Sequence, residues 1–85
     1  MSNSSLSDAI DIFRAWIDDG DMVEISRETE EKLGVTHEQM NRLLKMLQEE
    51  DYEIYGSYKP RRRIACRPGY GVDRAHDYLK GTYIH

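Results

Sequence analysis

The sequence predicts a small α+β domain in which three helices precede a two-stranded β-hairpin and a short C-terminal helix or tail. Apolar residues recur at helical spacing up to about residue 50, and after Asp51 they alternate in the manner of a strand. The 85 residues suffice for one small domain and are too few for a multidomain enzyme.

The first helix is predicted to begin at Leu6, after a flexible polar tail at residues 1–5. Ser5 or Ser7 is the candidate cap, and Gly20 is the expected left-handed residue at the end. The apolar residues between them follow the i, i+3, i+4, i+7 spacing of an amphipathic helix: Leu6, Ala9, Ile10, Phe13, Trp16 and Ile17.

A short segment, Met22–Ile25, alternates apolar and polar residues and is either a brief strand or an extended linker. Ser26 is then a good cap for a short second helix over Arg27–Leu33. Gly34 makes a tight turn before a third helix, which Thr36 and Gln39 open as a reciprocal capping box. The apolar stripe of this third helix is formed by Met40, Leu43, Leu44 and Leu47.

The hairpin is predicted from alternation after Asp51, with a turn at Lys59 and Pro60 and a return strand over residues 61–67. A glycine-rich break follows at residues 68–71. The C-terminal segment, residues 68–85, contains a candidate helix at residues 72–80 that ends at Gly81. The side expected to be buried carries Val72, Ala75 and Leu79.

Residues 25–44 resemble the helix-turn-helix of bacterial and phage regulators, and the strongest local match is the run from Lys32 to Thr36. Because a hairpin follows, residues 6–67 look like a winged helix-turn-helix domain. The chain departs from that family at Thr29, where an apolar residue is usual, and at Glu30 and Glu31, where a small residue is usual. A thinly apolar second helix is therefore expected.

The resemblance implies a DNA-binding protein that acts in transcription regulation or as a phage or mobile-element accessory factor. The third helix would enter the major groove of double-stranded DNA. In that arrangement asparagine pairs with adenine, arginine with guanine, and lysine with phosphate. The exposed residues on this helix are His37, Glu38, Asn41, Arg42 and Lys45, of which Glu38 counts against nucleic acid because carboxylates repel phosphates.

A cluster of basic residues lies on or beside the hairpin and is expected to clasp phosphates or enter a minor groove. Its members are Lys59, Arg61, Arg62, Arg63 and Arg67, with Tyr55 and Tyr58 among them. Since side chains alternate along a strand, Arg61 and Arg63 should share one face and Arg62 the other.

The charge is divided along the chain, which leaves a second hypothesis open. Residues 1–54 carry 14 acids and 5 bases, a net charge of −9, whereas residues 55–85 carry 2 acids and 7 bases, a net charge of +5. An acidic helical face would attract a basic, nucleic-acid-binding protein, as a phage-type or anti-CRISPR-like inhibitor does. The residues of this alternative are Asp18, Asp19, Asp21, Glu24, Glu28, Glu30 and Glu31.

Other classes of function have little support in the sequence. No apolar run is long enough to cross a bilayer, and no secretory leader is expected, so a cytoplasmic protein without membrane contact is predicted. The single cysteine, Cys66, fits a reducing compartment, and it does not stand in zinc-ligand spacing with the three histidines. We expect no cofactor, no metal and no catalytic residue. A homodimer is compatible with both hypotheses, with exposed tyrosines and residues 70–85 as candidate contacts.

Overall fold

The computed structural model describes residues 2–59 and 61–80, with side chains from Leu6 onward. Four helices surround a three-stranded antiparallel sheet whose strand order is β1-β3-β2. The elements in chain order are α1 Ser2–Gly20, β1 Met22–Ile25, α2 Arg27–Leu33, α3 His37–Glu49, β2 Glu53–Tyr58, β3 Arg61–Cys66 and α4 Val72–Leu79. The proposed Ser5 cap, the tip residue Pro60 and the predicted helix end at Gly81 lie outside the described positions or side chains.

The predicted hairpin is present as β2 and β3, but the sheet has three strands and not two. The segment left open between strand and linker is β1, which pairs with β3 with Val23 opposite Ala65 and Ile25 opposite Arg63. Four residues of alternation are too short to specify a strand by themselves. Strand β1 therefore depends on a partner strand about forty residues further along the chain.

Strand β3 lies in the middle of the sheet and is buried on both faces. Ala65 belongs to the core formed with α1, α2 and α3. Its neighbours Ile64 and Cys66 belong to a second core formed with α4. All three side chains are fully buried, as alternation on a doubly covered strand requires.

The predicted helical faces of the N-terminal half are confirmed as the main core. Ala9, Ile10, Phe13 and Ile17 of α1 are buried, and Leu6 and Trp16 pack against them. All four apolar residues predicted for α3 are buried in the same core. The helix α1 begins at Ser2, earlier than the predicted start at Leu6.

Helix α1 ends differently from the prediction, because the left-handed residue is Asp21 and not Gly20. Asp21 has φ 69°, and its carbonyl accepts a hydrogen bond from the Arg67 amide at 3.0 Å. Its carboxylate also accepts from Arg67 Nε at 2.8 Å. Aspartate tolerates this conformation better than most residues, and here two bonds to one partner hold it.

The turn between α2 and α3 is built as predicted. Ser26 caps α2 by accepting from the Thr29 amide, and Gly34 has φ 72° at its end. Thr36 and Gln39 form the capping box of α3. The unusual Thr29 is buried, and its hydroxyl donates to the Glu24 carbonyl at 2.7 Å. A polar residue is tolerated there because its donor has a partner in β1.

Helix α4 covers the face of the sheet opposite α1 and α3. Ala75 and Leu79 are fully buried and pack with Tyr70, Ile64 and Cys66. Val72, predicted to share this buried side, is 47% exposed because it lies in the first turn, where the helix begins beside the loop.

The loop before α4 is tied to the sheet by Glu53. The Glu53 carboxylate accepts from the Tyr55 hydroxyl at 2.7 Å and from the amides of Gly69 and Gly71 at 3.0 Å. These bonds, the one from Tyr55 above all, hold the pKa of Glu53 below its usual value. Glu53 thus holds the loop in the position from which α4 packs back against β3.

Truncation of Leu79 tests the docking of α4. We expect L79A to lower the free energy of unfolding by about 2–5 kcal/mol, because it leaves a cavity against β3. The matched control V72A removes an exposed side chain on the same helix and should change stability by less than about 0.5 kcal/mol. Urea unfolding measures both, and equal effects would contradict the packing described.

The Glu53 contacts predict a dependence on pH. A lowered folded-state pKa stabilises the protein above the ordinary value of 4.5, and this stabilisation is lost as the pH falls through the folded-state value. We expect E53Q to cost about 1–2 kcal/mol at pH 7. The difference from the parent protein should shrink below pH 4.5. A difference that stays constant from pH 7 to pH 3 would contradict a role for the carboxylate charge.

Candidate nucleic-acid interface

A groove of about 430 Å³ lies between the N-terminal half of α3 and the hairpin end of β3. Its lining combines two residues of the predicted helix set with three of the predicted hairpin set. The residues are Ile25, His37, Asn41, Arg61, Arg62 and Arg63. The fold therefore brings together positions that are about twenty residues apart in the sequence.

The α3 side of the groove carries hydrogen-bonding groups on an exposed helical face. His37 and Asn41 are one turn apart, and both are exposed. His37 Nδ1 lies 3.0 Å from a Glu30 carboxylate oxygen, a contact that is an ion pair only when the imidazole is protonated. Arg42 and Lys45 are also exposed on α3 and lie outside the groove lining. The predicted helix residues thus form an open polar surface.

Arg61 and Arg63 approach that surface from β3. Arg63 Nη1 donates to Asn41 Oδ1 at 3.3 Å, which joins strand and helix across the groove. Arg61 is exposed and has no carboxylate partner among the described residues. Lys59, at the turn, is exposed in the same way, and the neighbouring Tyr58 is 59% exposed. This end of the hairpin consequently presents uncompensated positive charge to solvent.

Arg62 points its guanidinium to the other face of the sheet, as strand alternation predicts. Its Nε donates to a Glu24 carboxylate oxygen at 3.3 Å, and its Cζ lies 5.1 Å from the centroid of the Tyr78 ring. The Tyr78 hydroxyl donates to the other oxygen of Glu24 at 3.2 Å. The hydrogen bond to Glu24 raises the pKa of Arg62. Arg62 therefore joins β1 and β3 to α4, although the residue also contributes to the groove lining.

Two further residues grouped with the hairpin cations lie away from the groove. Arg67 follows β3 at the end opposite the hairpin turn and is paired with Asp21. Tyr55 packs against the second core and donates to Glu53, and burial with this bond raises its pKa to about 12. Of the hairpin set, the groove end retains Lys59, Arg61 and Arg63, together with Tyr58.

The acidic residues of the alternative hypothesis are mostly bonded within the fold. Asp18 accepts from the Tyr52 hydroxyl at 3.0 Å, and Glu28 lies 3.3 Å from Lys32. Asp21, Glu24 and Glu30 face Arg67, Arg62 and His37, as described above. Asp19 and Glu31 are exposed without such a partner in the described part of the chain. Three of these seven carboxylates therefore face a lysine or arginine, and two more face a tyrosine hydroxyl or a histidine.

The other features of the described residues concern metal ligands, the single thiol and a depression on α4. The described residues contain no group of three histidine, cysteine or carboxylate side chains that could hold a metal ion. Cys66 is fully buried, and burial raises the pKa of its thiol to about 12. A shallow depression of about 660 Å³ on α4 mixes both signs of charge and is lined by Tyr70, Asp73, Arg74, Asp77, Tyr78 and Lys80. Within residues 2–59 and 61–80, no helix has the length and apolar character needed to span a membrane.

Comparison with known proteins adds no relative: no family model, no curated protein and no solved structure matches this chain.

Two features of the site were not predicted from the sequence. The bond between Arg63 and Asn41 joins residues 22 positions apart, and no local pattern marks it. The capture of Arg62 by Glu24 and Tyr78 depends on α4, whose position over the sheet was left open. The strand alternation did indicate that Arg62 points to the face opposite Arg61 and Arg63. It did not indicate that α4 covers that face.

The burial of Cys66 predicts an unreactive thiol. At pH 8 a thiol with a pKa of about 12 stays protonated, and the thiolate is the reactive form. We expect modification by a thiol reagent in the native protein to be limited by opening of the fold, and to become rapid in denaturant. Immediate reaction of the native protein at pH 8 would contradict this burial.

Proposed function

We propose that this domain binds double-stranded DNA as a winged helix-turn-helix protein, with the N-terminal half of α3 in a major groove and the hairpin as the wing on phosphates. The observation that carries the proposal is the groove in which Arg61 and Arg63 of β3 lie beside His37 and Asn41 of α3. A role in transcription regulation or as a phage accessory factor follows from the same hypothesis.

The order of elements supports this proposal. Helices α2 and α3 are joined by a short turn with a left-handed glycine, and a hairpin follows directly after α3. Strand β1, between α1 and α2, completes the sheet from which the hairpin extends. Because such a fold serves several functions, the side chains at the groove and not the fold favour DNA binding.

The charge distribution supports DNA over a basic protein partner. The chain carries a net charge of −4, which opposes nucleic acid at long range. Five of the seven acids of the alternative surface have internal partners, whereas Lys59, Arg61, Arg42 and Lys45 have no carboxylate partner among the described residues. Of the described residues, four cations without a carboxylate partner therefore lie on α3 and at the hairpin turn, while others lie at Arg27 of α2 and at Arg74 and Lys80 on the α4 side.

Titration against random-sequence duplex DNA at about 50 and then 200 mM salt tests the proposal. We expect binding that weakens steeply with salt, since each phosphate contact releases counterions. K59Q/R61Q should lessen the log–log salt slope by about 2 and weaken binding to all sequences alike. R62Q should have a smaller effect than R61Q, because the Arg62 guanidinium is held by Glu24.

The matched control is R74Q/K80Q, which removes the same charge from Arg74 of α4 and from Lys80 at its C-terminal cap, on the opposite face of the sheet. We expect its salt slope to equal that of the parent protein. Equal losses in the two double variants would mean a nonspecific charge effect and would contradict the groove as the site. Absence of binding at 50 mM salt would contradict DNA binding altogether. In that case capture of a basic protein, and its loss on charge reversal at Glu28, Glu30 and Glu31, would support the alternative.

A further inference from the structure

We propose that Arg63 is a positioning residue that presents the Asn41 amide to DNA as a hydrogen-bond donor, so that Asn41 selects guanine over adenine. The inference rests on the proposed function, because it needs α3 to lie in a major groove. It departs from the usual expectation for this side chain, which is a paired contact with adenine.

The geometry separates Arg63 from the phosphate-facing cations. Its guanidinium donates to Asn41 Oδ1 at 3.3 Å, and its side chain is partly buried, whereas that of Arg61 is exposed. No carboxylate among the described residues competes for it. Its backbone is held from both sides, since Arg63 lies opposite Ile25 in β1 and Gly56 in β2. The backbone of Arg63 is therefore fixed in the sheet, and its guanidinium is hydrogen-bonded to Asn41.

The bond changes what Asn41 can offer to a base edge. A free amide contacts adenine in two places, accepting from the N6 amino group and donating to N7. With the guanidinium at Oδ1, one of the two lone pairs of this oxygen is engaged, and the positive charge beside it opposes the approach of the adenine amino group, whose hydrogens are also positive. The amide nitrogen has no other partner within the described residues. Its two N–H groups match guanine, which presents N7 and O6 as adjacent acceptors.

The test begins with a duplex selected from a random library by the parent protein. The N41A variant then identifies the base pair at which the parent discriminates and N41A does not. At that position we expect the parent protein to prefer guanine over adenine by about tenfold, the size of one good base contact. R63M, similar in length without donor or charge, should abolish the preference. R63K, which keeps a charged donor, should retain most of it.

Two comparisons separate positioning from a phosphate contact or a structural effect. R61Q should weaken binding to the guanine and adenine duplexes equally. The double variant N41A/R63M should discriminate between the guanine and adenine duplexes no less than N41A alone, because both changes remove the same base contact. Thermal unfolding of each variant verifies that it is folded, and the ratio of two affinities is independent of the fraction of active protein.

The inference would be overturned if the parent protein preferred adenine at this position. It would also be overturned if N41A discriminated between base pairs as well as the parent protein at every position of the duplex. It would also be overturned if R63M weakened binding to every duplex equally and lessened the salt slope by about 1, since Arg63 would then contact phosphate. In each of these cases DNA binding itself stands. Failure of the parent protein to bind any duplex would instead contradict the proposed function.

Discussion

The burial of strand β3 on both faces is the constraint on which the rest of the structure depends. Because β3 lies between β1 and β2, its side chains must serve two cores at once, with Ala65 on one face and Ile64 and Cys66 on the other. The same alternation continues into the arginines at the hairpin end. Arg63 is thereby directed to α3, and Arg62 to α4. The pleat of one strand thus decides which cations meet the groove.

Helix α4 has an electrostatic effect as well as a packing effect. It covers the second face of the sheet through Ala75 and Leu79, and it also brings Tyr78 to Glu24 and Arg62. Exposed ion pairs contribute little to stability. The main effect of this cluster is therefore to hold the Arg62 guanidinium against Glu24 and Tyr78. The Arg62 guanidinium is thereby held on the α4 side of the sheet, while Arg61 and Arg63 remain at the groove.

Local patterns predicted the helices, and long-range contacts decided the remainder. Periodicity and caps identified the core face of α3, the Ser26 cap and the Gly34 turn, since each involves residues within one or two helical turns. β1 was undecided because its partner Ala65 is far away in sequence. The left-handed residue was assigned to Gly20, whereas bonds from Arg67 stabilise this conformation at Asp21. The sequence identified the site residues by their residue types. Which of them are held on the far face of the sheet could not be predicted without the position of α4.

Amide chemical shifts can test whether β3 and α3 together present one nucleic-acid surface, with α4 on the other side of the sheet. The measurement is a proton–nitrogen correlation spectrum of the labelled protein, recorded while duplex DNA is added at low salt. If α3 and the hairpin bind DNA, the shifted amides fall in residues 37–45, 57–59 and 61–63, while those of residues 72–80 keep their positions. Shifts concentrated on α4, or on the acidic residues of α2 with α3 unaffected, would contradict this prediction.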